Sequence, residues 1–522
     1  MDLFNNVQRK LLLGMASVGI LAPTTVVASE RDDSKTNFVV IMCDDVSFDM
    51  FGCYGNAKTH TPNIDKLASE GVVFSTAWNS AICSPARAEI LTGCYGTTTG
   101  SYYNAFAIPE GNNRKNTNKI FHNHPTFSKI LQDQGYKTAV AGKWHIGGAE
   151  HQDEACAGFD TYCMWEGVQT YKEITNKTWS GGTETPAMVT NSKSVKSARY
   201  WHPCIIQDHK EVETNSTDFG PDIFCKFICD FIDTSSKSSS PFLAYYPMTL
   251  PHGPYVETPL RTKSGSNHPN KGSKMPNDQR FEEMIDYIDI LVGRIYETLE
   301  RNNQIDNTVI IFTADNGTAV TAKSRGVERA VHVPYIVCGK GIKKRGMTHE
   351  ICDATDILPT IIGLSENDYP KNFSCDGVDM TPFLTGQSDT HKDVIMACSA
   401  STQMLRTRDH LLEVVDPILG VPNGRYYYCG QHNNGKGYER AEDRKGSQKT
   451  LQMFKDLLQN KYVGLKKNHP YLKTKRGDRF MRQYVKPKSV KKHLYNHRDY
   501  QFYDESIVFE ESTKWTPTTV VN

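Results

Sequence analysis

Two oxygen-rich pairs, Asp44-Asp45 and Asp315-Asn316, lie far apart in the chain. With no His or Cys cluster beside them, four such groups suit a hard divalent cation such as Ca²⁺ or Mg²⁺. Either pair alone reads as a strand-end Asp capping a turn, whereas both at one sheet edge favour a metal. Cys83-Ser84-Pro85-Ala86-Arg87, running on to Thr92-Gly93, reads as a loop entering a short helix. Pro85 fits its first turn and Gly93 its stop. Cys83 then sits at a helix N-terminus, where backbone N–H groups and the dipole favour an anion, and Arg87 one turn on adds a fixed positive charge. From the residues alone this is an anion site with a nucleophile, a reactive thiolate or a buried cysteine. Lys143 and Lys323 can pair with an anionic substrate and with charge that develops during reaction. His145 and His252 can carry protons near neutral pH, and Trp144 reads as packing.

Most of these groups follow apolar, β-rich runs. Phe38–Cys43 ends in Asp44-Asp45, and Thr138–Ala141 ends in Gly142-Lys143-Trp144-His145. Phe242–Tyr246 runs on to Pro251-His252-Gly253-Pro254, and Val309–Ala314 ends in Asp315-Asn316-Gly317. Continuous apolar runs are what strands look like when both faces are buried, as in a parallel sheet. Between them lie helical segments. Thr61-Pro62 reads as an N-cap and first helical position, with Gly71 closing that helix. The stretch 281–301 places Met284, Ile285, Ile288, Val292, Ile295 and Leu299 on one face. Alternating strands and helices imply an α/β domain, and open α/β sheets bind ligands outside the carboxyl ends of their strands. The four polar ends are therefore expected to meet in one crevice.

A chain of 522 residues has room for about two or three domains. Hydrophobic residues make up 38% and charged residues 23%, enough for a sizeable core, and 38 Gly and 24 Pro with no G-X-Y period or long Ser/Gly tract exclude collagen-like and wholly disordered chains. The net charge of +1 gives no global case for nucleic acid or a membrane. The charge is uneven, however: Ser401–Asn522 holds 23 Lys and Arg against 13 Asp and Glu. At the other end, Arg9 and Lys10 precede an uncharged stretch, Leu11–Ala28, broken by Gly14, Gly19 and Pro23. Val26 and Ala28 suit a signal-peptidase site, so residues 1–28 read as a cleaved export signal rather than a membrane anchor. The expected location is periplasmic or secreted, with no stable membrane insertion. Fourteen Cys in an exported chain permit disulfides, but their spacing forms neither a small disulfide framework nor a paired C-x-x-C metal pattern. Most read as small buried hydrophobes.

The run from Cys83 to Arg87, followed by Leu91-Thr92-Gly93, resembles the C-x-P-x-R core of the type I, formylglycine-dependent sulfatases. The resemblance extends, in the family's order, through Asp44-Asp45, Thr61–Ala68, Gly142–His145, Pro251–Pro254, Asp315–Gly317, Asp356–Thr360 and Asp376–Gly386. It implies an alkaline-phosphatase-like α/β fold: a large mixed sheet sandwiched by helices, with a smaller C-terminal α+β subdomain. The boundaries expected are 36–390 for the catalytic domain and 391–522 for the basic C-terminal subdomain. By the same resemblance Cys83 is oxidised to formylglycine (3-oxoalanine) by a maturation enzyme. A hydrated aldehyde offers two geminal oxygens: one attacks sulfur and expels the alcohol, and the other expels sulfate without attack by water. The family pattern makes Asp44, Asp45, Asp315, Asn316 and modified Cys83 ligands of one Ca²⁺. Arg87 supports the hydrate, and Lys143 bridges hydrate and sulfate. His145 is the base for sulfate elimination, while His252, the proton donor, and Lys323 face the leaving oxygen.

The chain departs from the pattern in places. After Lys323 the family commonly continues E-G-G-x-R-V-P, where this sequence has Glu328-Arg329-Ala330-Val331-His332-Val333-Pro334. Lys323 keeps its five-residue offset from Glu328 and is carried over on that resemblance, and the basic turn usual after Leu91-Thr92-Gly93 is replaced by Cys94–Gly100. Met404–Leu412 resembles the first strands of the family's C-terminal sheet. The stretch from Lys461 to Arg498 has 13 Lys and Arg, one acid, and interleaved aromatics. It reads as a solvated basic face or as a surface that steers a polyanion to the crevice. An exported sulfatase with such a tail is expected to act on sulfated carbohydrate, not nucleic acid, a reading that also draws on Tyr102-Tyr103-Asn104. The competing readings are a phosphonate or phosphate monoester hydrolase of the same superfamily, and a non-catalytic protein that binds sulfated glycans.

Overall fold

A computed structural model describes residues 35–103, 106–107, 119–146, 157–166, 171–172, 175–185, 195–262, 277–318, 323–324, 326–419 and 421–464. The expected export signal, most of the basic tail and Asn104 lie outside them. In chain order the elements used below are β1 (Asn37–Cys43), α1 (Pro62–Ser69), β2 (Gly71–Trp78), α2 (Cys83–Thr92), α3 (Phe127–Asp133), β3 (Lys137–Gly142), β4 (Thr161–Trp165), β5 (Ile205–Gln207) and β6 (Lys210–Val212). They continue with α4 (Gly220–Ser235), β7 (Phe242–Pro247), α5 (Asn277–Arg301), β8 (Thr308–Ala314), β9 (Tyr335–Gly339), β10 (Gly346–Asp353) and α6 (Ile357–Leu364). Last come β11 (Ile395–Ser399), β12 (Thr402–Arg406), β13 (His410–Val415), β14 (Arg425–Tyr428), β15 (Glu439–Arg440) and α7 (Gln448–Asn460).

Ten strands form one mixed sheet in the order β6-β5-β4-β3-β7-β1-β8-β9-β2-β10. The four runs singled out in the sequence are its adjacent centre: β3, β7, β1 and β8 are all parallel. Their carboxyl ends therefore share one edge, as expected of an α/β sheet. Alternate β1 side chains divide between two cores. Phe38, Val40 and Met42 face Ile90 and Leu91 of α2, Ile130 and Leu131 of α3, and Ile361 of α6. Val39, Ile41 and Cys43 face Ile64 and Leu67 of α1, Ile228 of α4, and Ile285 and Ile288 of α5. Helices thus cover both faces, which is why these strands carry almost no polar residue. A second sheet of five antiparallel strands, β11-β12-β13-β14-β15, packs with Phe454 of α7, Tyr95 and Tyr462.

The end of α1 differs from expectation. Glu70 is the C-cap in right-handed helical conformation, and Gly71 opens β2. A Cβ on Gly71 would stand 2.2 Å from the Val337 carbonyl oxygen. This glycine permits close packing against β9 and does not supply a left-handed turn. Thr61 does not cap α1 through its side chain. Its Oγ1 accepts from the Gly52 N–H (2.9 Å), and Asp289 of α5 accepts from the Ile64 N–H (2.8 Å). Tertiary contacts have replaced the local cap. Gly93, by contrast, ends α2 in the left-handed conformation (φ +66°), as read from the sequence.

Among the described residues, ten cysteines are buried, three are half-buried and all are free. No helix among them is long and apolar enough to cross a membrane.

Candidate active site at the carboxyl edge of the central sheet

Cys83 is the first residue of α2 and is fully buried. Its Sγ lies 3.8 Å from Asp44 Oδ1 and 3.8 Å from Asp45 Oδ1, and Lys323 Nζ donates to it at 2.6 Å. All ten predicted site residues are described, and the structure brings them into one cluster. Lys143, just past β3, binds both oxygens of Asp44 at 2.8 and 2.7 Å. Arg87, one turn into α2, donates to Asp315 Oδ2 (2.8 Å) and to the Lys143 carbonyl (2.6 Å). Asp315 Oδ1 accepts from the Asp45 N–H at 3.0 Å. Lys323 and Asn316 both donate to Asp45 Oδ1. His252 Nε2 lies 3.3 Å from Asp45 Oδ2, and its Nδ1 is 2.6 Å from the Gly253 carbonyl, which therefore accepts an Nδ1–H. His145 sits beside Ser84, whose hydroxyl donates to the His145 carbonyl (2.8 Å) and lies 3.5 Å from Nδ1. Asp45 (φ +69°) and His145 (φ +58°) hold left-handed backbone conformations. Such strain costs non-glycine residues about 1–3 kcal/mol and concentrates at functional sites.

Burial and close charges set the protonation states. Burial pushes the Cys83 thiol up to about 12 despite Lys143 and Lys323. Unmodified, it is a poor nucleophile near neutral pH. Burial also acts to raise Asp44, but Lys143, His252 and Arg87 outweigh it and hold that carboxylate well below its usual range. Asp45 is lowered in the same way by His252 and Lys323 against burial. Asp315 goes the other way, to about 6, through burial and the neighbouring Asp44. Burial, with Lys143 and Arg87, keeps His145 neutral. Burial, with Arg199, pushes His252 down to about 3.

The donor set fits a hard cation. Asp45 Oδ2 and Asn316 Oδ1 are buried and have no hydrogen-bond partner among the described residues, and an unfilled buried acceptor is costly. One ligand atom each from Asp44, Asp45, Cys83 and His252 falls within a 4.8 Å span. Asp315 reaches the same cluster through Asp45 and Arg87.

Two residues of this region were not legible in the sequence. Arg199 NH1 stands 3.8 Å from Asp44 Oδ2, and the Tyr200 hydroxyl donates to the carbonyls of Thr249 (2.8 Å) and His252. They follow no long apolar run and carry no motif. Trp144 is packing, as expected, against Phe121 and Phe159. His332, where the family pattern has Arg, is also structural: it is buried and stacks on Phe48 at 3.7 Å between ring centroids. Its Nε2 lies 3.0 Å from the Ser75 carbonyl.

Known proteins resemble this chain in sequence and in fold. The model of the family described as Sulfatase matches residues 36–366. Human arylsulfatase A is 26% identical over 381 residues, covering 67% of this chain and 68% of its own. The ulvan-active sulfatase of Formosa agariphila is 26% identical over 384 residues, covering 69% and 66%. Among solved structures, Ps i-CgsB in complex with k-i-k-neocarrahexaose superposes with a TM-score of 0.63 at 24% identity, covering 81% of this chain and 91% of the other.

Proposed function

Because the chain belongs to the sulfatase family and is thus a sulfuric ester hydrolase, we propose that it removes sulfate from a sulfated carbohydrate, with Cys83 oxidised to formylglycine as the nucleophile. The observation that carries this reading is the convergence on Cys83: two Lys, two His, Arg87, Asp44-Asp45 and Asp315-Asn316 surround it at the shared edge of β3, β7, β1 and β8. The relatives named as acting on ulvan or bound to a carrageenan oligosaccharide support the sugar assignment.

A buried thiol pushed up to about 12 would leave the site without a ready nucleophile, which is the chemical case for modification. Hydrated, the aldehyde places two hydroxyls on one carbon, so that one can attack sulfur and the other can provide the route for expelling sulfate. Asp44, Asp45, Asp315, Asn316 and modified Cys83 would hold one Ca²⁺, which supplies Lewis-acid polarisation of a sulfate oxygen. Arg87 holds the Lys143 carbonyl and Asp315 in place and supports the hydrate. Lys143 and Lys323, now on Asp44 and Asp45, orient the sulfate and offset the charge that builds on it. His252 has its Nδ1–H committed to Gly253, so Nε2 is the atom that faces the substrate; the bound sulfate anion favours a second proton there, which Nε2 hands to the sugar oxygen as its bond to sulfur breaks. His145, neutral through burial, takes the proton of the second hydroxyl during sulfate release.

The Leu11–Ala28 stretch supports export to a periplasm or beyond, with N-terminal sequencing of the mature protein expected to begin near Ser29. The basic region from 391 onward forms the C-terminal subdomain in this reading. Assay against defined sulfated oligosaccharides, an aryl sulfate and an aryl phosphonate tests the function. Desulfation of at least one oligosaccharide, faster than phosphonate cleavage, is expected. Turnover of aryl sulfate alone would overturn the sugar assignment, and preferential phosphonate cleavage would overturn the sulfate assignment.

A further inference from the structure

Arg199 is nine-tenths buried beside the cluster, yet none of the roles above uses it. Its guanidinium lies over the Trp165 ring, 4.3 Å from the centroid, at the carboxyl end of β4. NH1 is 3.8 Å from Asp44 Oδ2, the oxygen that also takes Lys143 at 2.7 Å. Its contact with the Gly253 carbonyl is long, 3.4 Å. The buried Nε has no hydrogen-bond partner among the described residues. A buried guanidinium with an unfilled donor is costly, and a planar donor fork fits two oxygens of a tetrahedral oxyanion.

The backbone that carries Arg199 is fixed. A Cβ on Gly220 would come within 2.5 Å of the Arg199 carbonyl oxygen, so α4 starts hard against it. Next along the chain, Gly220 N–H donates to the Tyr200 carbonyl (2.8 Å), and the Tyr200 hydroxyl ties this segment to the His252 loop. Trp201 Nε1 donates to the Glu257 carbonyl at 2.9 Å. A side chain held this way is preorganised rather than recruited.

The geometry points to Arg199 as a further substrate-binding residue, one that donates to a nonbridging oxygen of the reacting sulfate from the side of His252. This rests on the sulfatase reading. Trp165 keeps the fork in plane and dry, where a charged hydrogen bond is strongest.

The test uses Arg199→Gln, Arg199→Lys and Arg199→Ala in the full mature chain, with melting temperature as a check on folding. Steady-state turnover of para-nitrophenyl sulfate, inhibition by inorganic sulfate and calorimetric binding of inorganic sulfate are measured. Arg199→Gln is expected to lower kcat/KM by about 10- to 100-fold and to weaken sulfate binding by about tenfold or more. Arg199→Lys should lose less, and guanidinium ion added to Arg199→Ala should restore part of the turnover. Unchanged kcat/KM in Arg199→Gln overturns the inference. So does reduced kcat/KM with unaltered sulfate binding, because Arg199 would then act only through the His252 loop. The calorimetric arm reads the contact without turnover, so a wild type that desulfates neither para-nitrophenyl sulfate nor any sulfated oligosaccharide would count against the sulfatase reading while sulfate binding still decides the role of Arg199.

Discussion

Asp44 and Asp45 beyond β1, and Asp353 and Asp356 around the end of β10, are four buried carboxylates on one sheet whose oxygens are filled in different ways. Asp353 Oδ1 accepts from the N–H and hydroxyl of Thr355, and Oδ2 accepts from Tyr95 (2.6 Å) and Lys392 (3.0 Å). Asp356 Oδ1 accepts from the Val378 N–H (2.8 Å) and Lys392 (2.7 Å). Its Oδ2 takes the Asp353 N–H (3.1 Å) and lies 3.0 Å from His391 Nε2. Every oxygen of this pair has two partners. Asp44 is held by Lys143, with Arg87 at 3.4 Å, and Asp45 Oδ2 has only His252 at 3.3 Å. Burial of acids is therefore no mark of a ligand site by itself. What separates the pairs is satisfaction: backbone N–H groups, hydroxyls, His391 and Lys392 fill every oxygen of one pair and lock the chain, whereas Asp45 keeps a buried oxygen with no hydrogen bond among the described residues, open to a cation.

The largest effect expected lies on the open side. Cys83→Ala should lower turnover on the order of a thousandfold or more while leaving a folded protein that still binds sulfate. Cys83→Ser should stall after one event, seen as a burst of no more than one product per enzyme, because a single hydroxyl cannot expel sulfate. Full steady-state turnover by either variant breaks the account of this pair.

Metal removal comes next. Chelation should abolish turnover and lower the melting temperature, and added Ca²⁺ should restore both, since a ligand bound only by the folded state stabilises it. Asp315→Ala should lose activity and metal together. Asp356→Asn should leave metal stoichiometry unchanged, as measured by elemental analysis. Undiminished activity in metal-free buffer would contradict the fit of the acidic pairs to a cation.

On the filled side the effects fall on stability. Lys392→Met removes the shared partner of Asp353 and Asp356 and should cost about 3–5 kcal/mol in denaturant unfolding, with turnover per folded molecule retained. Lys323→Met should do the reverse, with kcat/KM lowered more than tenfold and stability changed by less than in Lys392→Met. Smallest is Tyr95→Phe, which removes one donor to Asp353 and should cost about 1–2 kcal/mol. If it lowered activity more than stability, the division between the two pairs would fail.

The central strands were readable because both their faces are buried, which strips them of polar residues: β1, β3, β7 and β8 begin and end within a residue or so of the apolar runs. β2 was not, since Ser75 and Thr76 interrupt its apolar run although both are buried. β5 and β6 are three residues each, too short to leave a pattern. Site residues at the ends of long strands were found from their position. Lys323 was found only through its offset from Glu328, and the structure shows why that offset holds. Glu328 is anchored by Arg406 (2.6 Å) and Tyr438, and its N–H donates to Glu413 (3.0 Å). The C-terminal sheet thus fixes the segment that aims Lys323. Arg199 left no trace, because its value lies in where α4 and Trp165 hold it and not in its neighbours in sequence. The filled pair shows the same blindness: Lys392 and His391 reach Asp356 from outside any recognisable motif.

The central claim is the chemistry of Cys83, and peptide mass spectrometry reads it directly. Protein made in a host with the maturation machinery should yield the peptide spanning Cys83 to Arg87 with an aldehyde in place of the thiol, and a hydrazide should trap it. An unmodified thiol at Cys83 in a protein with full multiple turnover would contradict the mechanism.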